Sequence, residues 1–249
     1  MTHALAVGVD GCRIGWIAAF AFGRGNRVTR TGLCLFEAAA DIVRWRDRQA
    51  DPPVVAIDVP IGLPDRIGDR PCDRAARRLL GRRQSCVFQA PDRALLDLAQ
   101  KTYEAVRLRI DERRGEAPDA RGLTRQGFGI LPKIAEVDSV IRGEARREEW
   151  LVEVHPEVSF RALGHRDLPP KRSRAGRDAR RKRLADHFPD LDDHLETTAW
   201  RRRDVGVDDR LDAYVALWSA LRFRRGPEHH LVLGEGERDR KGLLMRIIV

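Results

Sequence analysis

Apolar and polar positions divide this chain into three regimes. Residues 4–10, 14–22 and 27–35 are apolar runs broken by Gly11 and by the polar turn at 23–26, the pattern of a three-stranded antiparallel meander. Residues 37–49 place Ile42, Val43 and Trp45 among good helix formers and predict a helix. Residues 54–59 are continuously apolar except for Asp58, as in a central strand covered on both faces. A meander, a crossover helix and a buried strand together imply a mixed sheet of the α/β class.

From residue 60 to residue 149 the pattern turns helical and irregular. It predicts helices over 73–83, 93–114 and 132–142, the last opening on Pro132, whose fixed φ suits a first helical position. This stretch reads as a helical insertion or cap within a single domain spanning residues 1–249. A short strand follows at 151–154 and ends at His155-Pro156, then a basic helix-prone segment over 165–187 and a weaker helix over 190–200. Residues 207–223 are apolar nearly all round, which predicts a buried helix whose Ala213 and Ala220 permit close approach to the sheet. The segments HLVLG and GLLMRIIV read as closing strands.

Against this apolar background a few acids stand out. Asp10 ends the first strand, Asp58 interrupts the central one, Glu153 lies on the later short strand, and Asp209 and Asp212 share a face of the buried helix. An Asp-Gly turn explains Asp10 taken alone, and an N-cap explains Asp209. Neither explains Asp212, one turn further in. If these acids converge, their mutual repulsion calls for cations, and an all-oxygen donor set suits Mg2+ or Mn2+. Two such ions would stabilise the attacking and leaving oxygens of a phosphoryl displacement, with Asp10 bridging them, Asp58 on one and Asp209 with Asp212 on the other. Glu153 would support or replace one of these ligands.

Net charge modifies the picture. The chain carries +9 and has a pI near 10.1, mostly through arginine, which favours bidentate contact with phosphate. Eight of the thirteen residues from 171 to 183 are basic, and five arginines fall within 72–83. Arg82, Arg83, Lys133, Lys171, Arg172, Arg174 and Arg177 are the candidates for tracking a nucleic-acid backbone, with salt-dependent and largely sequence-independent affinity. The absence of a membrane-length apolar run and of a Cys-x-x-Cys pair points to the cytoplasm and to reduced thiols. Nothing in the pattern fixes an oligomeric state.

The segments GVDGCRIGW, AIDVPIGLP, CDRAAR, SCVFQAP, LPKIAEVD, EVHPEVSF and DDRLDA together resemble the domain of unknown function 429 family, described as predicted nucleases of the ribonuclease H-like fold. Within that fold the D-x-x-D-A helix resembles the Holliday-junction resolvase type. Ile14 departs from the small residue expected there and leaves the acidic positions untouched. The resemblance implies a ribonuclease H-like mixed sheet and a metal-dependent nuclease site at Asp10, Asp58, Glu153, Asp209 and Asp212. Two rival readings stand beside it. One is a small-molecule phosphohydrolase or phosphotransferase of the actin and sugar-kinase type, which GVDGCRIG loosely fits although no second such hairpin and no P-loop is present. The other is a nucleic-acid-binding module without chemistry.

Overall fold

The three N-terminal apolar runs form long strands, β1 (His3–Cys12), β2 (Gly15–Arg24) and β3 (Arg27–Phe36), paired antiparallel as the meander predicts. The computed structural model describes residues 2–65, 68, 70–114, 123–142, 147–164, 168–197, 199–234 and 236–249. The chain divides into two compact units: Met1–Val59, Arg146–Val232 and Ile248–Val249 make one, Pro60–Ala145 and Leu233–Ile247 the other. The second unit thus contains the expected helical insertion together with part of the C-terminal segment.

In the first unit, helix α1 (Ala39–Asp47) leads to β4 (Val54–Ile57), which adds parallel to β1, and β5 (Leu151–Glu153) adds parallel to β4. The resulting order β3-β2-β1-β4-β5 is a mixed five-stranded sheet flanked by helices, consistent with the ribonuclease H-like fold. One face carries Ala19, Gly8, Ala56 and Val152 in register and shares a core with the helices α5 (Pro156–Gly164), α6 (Arg174–Ala185), α7 (Leu191–Glu196) and α8 (Val207–Arg225). The other face carries Val7 and Phe20, and Trp45 of α1 meets Phe20 edge-on with 4.8 Å between ring centroids.

Helix α8 is buried at every position from Arg210 to Ala220, which fits its nearly uniform apolar sequence. It crosses β1 so closely that a Cβ on Gly8 would lie 1.9 Å from the Leu217 nitrogen and 2.2 Å from the Ala213 carbonyl oxygen. Only glycine fits there, and the small side chain of Ala213 on the helix makes the approach possible.

The second unit holds α2 (Pro71–Leu80), α3 (Tyr103–Arg114) and α4 (Arg125–Arg142), of which α3 and α4 share a core that includes Leu95, Val106, Ile110 and Leu131. The helix expected over 93–114 is broken in two: a 3-10 turn covers Arg93–Leu98, and Thr102 starts α3 afresh by accepting the Ala105 N–H. Pro132 does not open its helix. Thr124 does so, capping the Gly127 N–H, and α4 runs through Pro132 in its interior at the expense of the bond to the Phe128 carbonyl.

Three further expectations change. Residues 156–164 form α5, a helix the pattern misses. The basic helix begins only at Arg174, where Ser173 caps the Gly176 N–H; residues 165–167 lie outside the described residues. The closing strands shrink to β6 (Val232–Leu233) and β7 (Ile247–Ile248), paired with each other. Among the described residues, no helix is long and apolar enough to cross a membrane.

Candidate metal centre

Strand register decides which acids share a face of the sheet. Side chains alternate along a strand, so Asp10 lies on the face of Gly8, the face against α8. Val9 pairs in parallel with Ile57, and the Asp58 N–H donates to the Val9 carbonyl at 3.0 Å, so Asp58 follows Ile57 as Asp10 follows Val9. The two aspartates therefore stand side by side at the carboxyl ends of adjacent parallel strands. Helix α8 brings Asp212 to the same place from above.

Glu153 does not join them on that face. It pairs with Ile57, which gives it the parity of Ile57 and Val9 and turns it to the face opposite α8. The expectation that it completes the set is corrected by this register. Its charge still reaches Asp58, whose carboxyl it helps to raise.

The electrostatics show how tightly the remaining acids are gathered. Burial, then the charges of Asp58, Asp212 and Asp209, push the Asp10 carboxyl well above the usual carboxylate range, and Lys171 opposes them. Burial pushes Asp58 up to about 8, with Asp212 adding to the effect and Lys171 countering it. Burial likewise lifts Asp212 up to about 6 against the pull of Lys171. The Lys171 ammonium donates to Asp212 Oδ2 at 3.1 Å and is held above the ordinary lysine range chiefly by that carboxylate.

Asp209 has a structural task as well. It occupies the third position of α8, where its Oδ2 accepts the Gly206 N–H at 2.8 Å, so it caps the helix that carries Asp212. Burial raises its pKa too. It belongs to the neighbourhood of Asp10 without being as deeply placed as Asp212.

One acid of this neighbourhood escapes sequence reasoning. Glu157, in the first turn of α5, perturbs both Asp58 and Asp212 and is clamped by Arg180, whose Nη2 donates to both carboxylate oxygens at 2.6 and 2.9 Å. Pro156 is the first residue of α5, and a proline at a first helical position is the signal that could have revealed both the helix and its acid.

The basic candidates separate into two groups. Lys171, Arg172, Arg174 and Arg177 belong to the first unit, and Arg82, Arg83 and Lys133 to the second. Arg172 and Arg174 are exposed, while Arg177 reaches back to the Arg172 carbonyl at 2.9 Å. The run from 171 to 183 is not one solvated stripe: Arg180 is buried on Glu157, Arg181 pairs with Asp192 and Glu196, and Arg183 donates to the Phe160 carbonyl at 2.8 Å. In the second unit Arg82 is exposed, Arg83 donates to Cys86 Sγ at 3.6 Å, and Lys133 is half-buried on α4. The His155 carbonyl receives the first N–H groups of α5, and the His230 ring lies against Phe223.

Two buried carboxylates, Asp10 and Asp212, and the half-buried Asp58, with one ammonium among them in the described residues, make an all-oxygen donor set of excess negative charge. Such a set fits Mg2+ or Mn2+, whose charge relieves the repulsion. No curated protein and no solved structure matches the chain. The sequence profile of the protein of unknown function DUF429 matches residues 8–234, a span that holds all of these acids, and the chain belongs to that family.

Proposed function

We propose that the protein is a divalent-metal-dependent nuclease, a phosphodiesterase that cleaves nucleic-acid backbones in the cytoplasm. The observation that carries this reading is the convergence of Asp10, Asp58 and Asp212 on one face of the sheet, with too little positive charge among them. Asp10, Asp58 and Asp212 would hold one or two Mg2+ or Mn2+ ions, with Asp209 beside them. Bound there, such ions lower the pKa of a water and neutralise charge developing on phosphate oxygens.

The protein's own groups supply the rest. Asp10, on the central strand β1 beneath α8, would hold an ion together with Asp58 and Asp212. The apolar sheet beneath the acids keeps their environment poor in water, which strengthens every charge interaction in the site. Exposed Arg172 and Arg174 supply phosphate contacts that confer affinity without reading bases.

Cleavage of a panel of DNA, RNA, hybrid and branched substrates with Mg2+ or Mn2+ tests the proposal. Asp10→Asn is expected to lower the rate by about a thousandfold or more while the protein still folds. Activity surviving that change would remove the site from consideration. Hydrolysis of nucleoside triphosphates with every nucleic acid left intact would assign the site to a small-molecule phosphohydrolase instead. Nucleic-acid binding that is unchanged in chelator, without cleavage, would identify a binding module.

A further inference from the structure

Lys171 is held in place more firmly than a surface lysine requires. It follows Pro169 and Pro170, and each proline carbonyl is tied down: the Pro169 oxygen accepts from Arg180 Nη1 at 3.0 Å, and the Pro170 oxygen accepts both the Ser173 N–H at 3.0 Å and the Ser173 hydroxyl at 2.7 Å. The first turn of α6 closes on this loop so tightly that a Cβ on Gly176 would lie 2.0 Å from the Pro170 oxygen. Arg180 in turn is buried and fixed by Glu157 and by the Gly176 carbonyl at 2.9 Å. A rigid loop, braced from α5 and α6, thus delivers one ammonium to Asp212 on α8.

The side chain is half-exposed, at 46% of its full area, whereas the Asp212 side chain it meets is 4% exposed. The pair joins a half-exposed ammonium to a buried carboxylate, which would lose its charge partner if the lysine were removed. The lysine's position has a further consequence. The oxygen it occupies, Oδ2 of Asp212, is one of the few oxygens available to a metal ion in this site.

We infer that Lys171 is a resident counter-cation that competes with a divalent metal ion for Asp212. In the metal-free protein the ammonium partly balances the acids and keeps them compatible with folding. Entry of the ion at Asp212 requires the lysine to withdraw, and its exposed stem leaves it free to do so. The device sets a threshold: the site loads at a higher metal concentration than its carboxylates alone would need. This inference rests on the metal-centre reading of the acids, and it is independent of whether nucleic acid is the substrate.

Titration of the full-length protein with Mn2+ alone, followed by calorimetry or by the spin resonance of free Mn2+, tests it. Lys171→Gln is expected to bind Mn2+ about tenfold more tightly than the wild type, since a charged hydrogen bond no longer has to be broken. Lys171→Arg, which keeps the charge, is expected to stay near the wild-type affinity. In chelator, Lys171→Gln is expected to melt below the wild type and to regain the difference when Mn2+ is added. Equal or weaker Mn2+ binding by Lys171→Gln, or no binding by either protein, overturns the inference. Tighter binding in a protein that cleaves no substrate would keep it and discard the nuclease.

Discussion

The two units handle buried aspartates in opposite ways. In the second unit Asp73, Asp138 and Asp239 are each matched by a guanidinium. Arg70 grips both oxygens of Asp73 at 3.0 and 2.7 Å, and Arg93 bridges Asp138 and Asp239. Asp239 also accepts the backbone N–H groups of Leu63, Lys241 and Leu243. In the first unit Asp10, Asp58 and Asp212 share the Lys171 ammonium among the described residues, with Arg180, clamped on Glu157, acting on Asp212 only through its charge. Acids that serve only to hold a fold are neutralised where they stand. A set left short of positive charge lowers stability, and that cost is what the proposed metal ion would offset.

That contrast can be broken by experiment, beginning with the largest effect on folding. Arg70→Ala leaves Asp73 buried without its bidentate partner and is expected to cost about 3–5 kcal/mol, read as a lowered denaturation midpoint. A loss below about 1 kcal/mol would show that the second unit's acids are not charge-matched by necessity.

The opposite sign is expected at the candidate site. The folded state holds the Asp58 proton up to about 8, far above the unfolded value, so it binds more protons than the unfolded chain between pH 4 and 8. Stability in chelator therefore falls as pH rises through that window. Asp58→Asn is expected to stabilise the metal-free protein by about 2 kcal/mol at pH 8, raising the melting temperature by about 4–8 °C, and to change little at pH 4. Destabilisation at pH 8 would mean that Asp58 is already balanced like the acids of the second unit.

The smallest effect belongs to a surface pair. Arg181, which meets Asp192 and Glu196 in solvent, is expected to contribute about 0.5 kcal/mol or less, vanishing in high salt. A large, salt-insensitive loss on Arg181→Ala would blur the distinction between exposed and buried pairing.

The sequence discloses the acids that interrupt apolar elements, because a carboxylate in a strand or a buried helix has a local cost visible in the pattern. Asp10, Asp58 and Asp212 are legible for that reason, as are the meander and the order of its strands. Glu153 is misread because its face depends on pairing with Ile57, a contact between residues far apart in the chain. Glu157 and the placement of Lys171 are hidden for a related reason. One sits on a nine-residue helix directly after a three-residue strand, and the other depends on Arg180, which composition alone counts as one more surface charge. Prolines show the limits of local signals most plainly: Pro156 begins a helix as the rule predicts, while Pro132 lies inside one, and only tertiary packing separates the two cases.

Gly8 contributes no atom to the chemistry, yet it acts as the spacer of the whole site. Asp10 is two residues along the same strand, and Asp212 is the neighbour of Ala213, whose carbonyl rests where a Cβ of residue 8 would be. The gap between the strand acids and the helix acid is therefore set by a missing methyl group. Any side chain there would prise the two apart, so the spacing of the acids is written in the one position that carries no side chain.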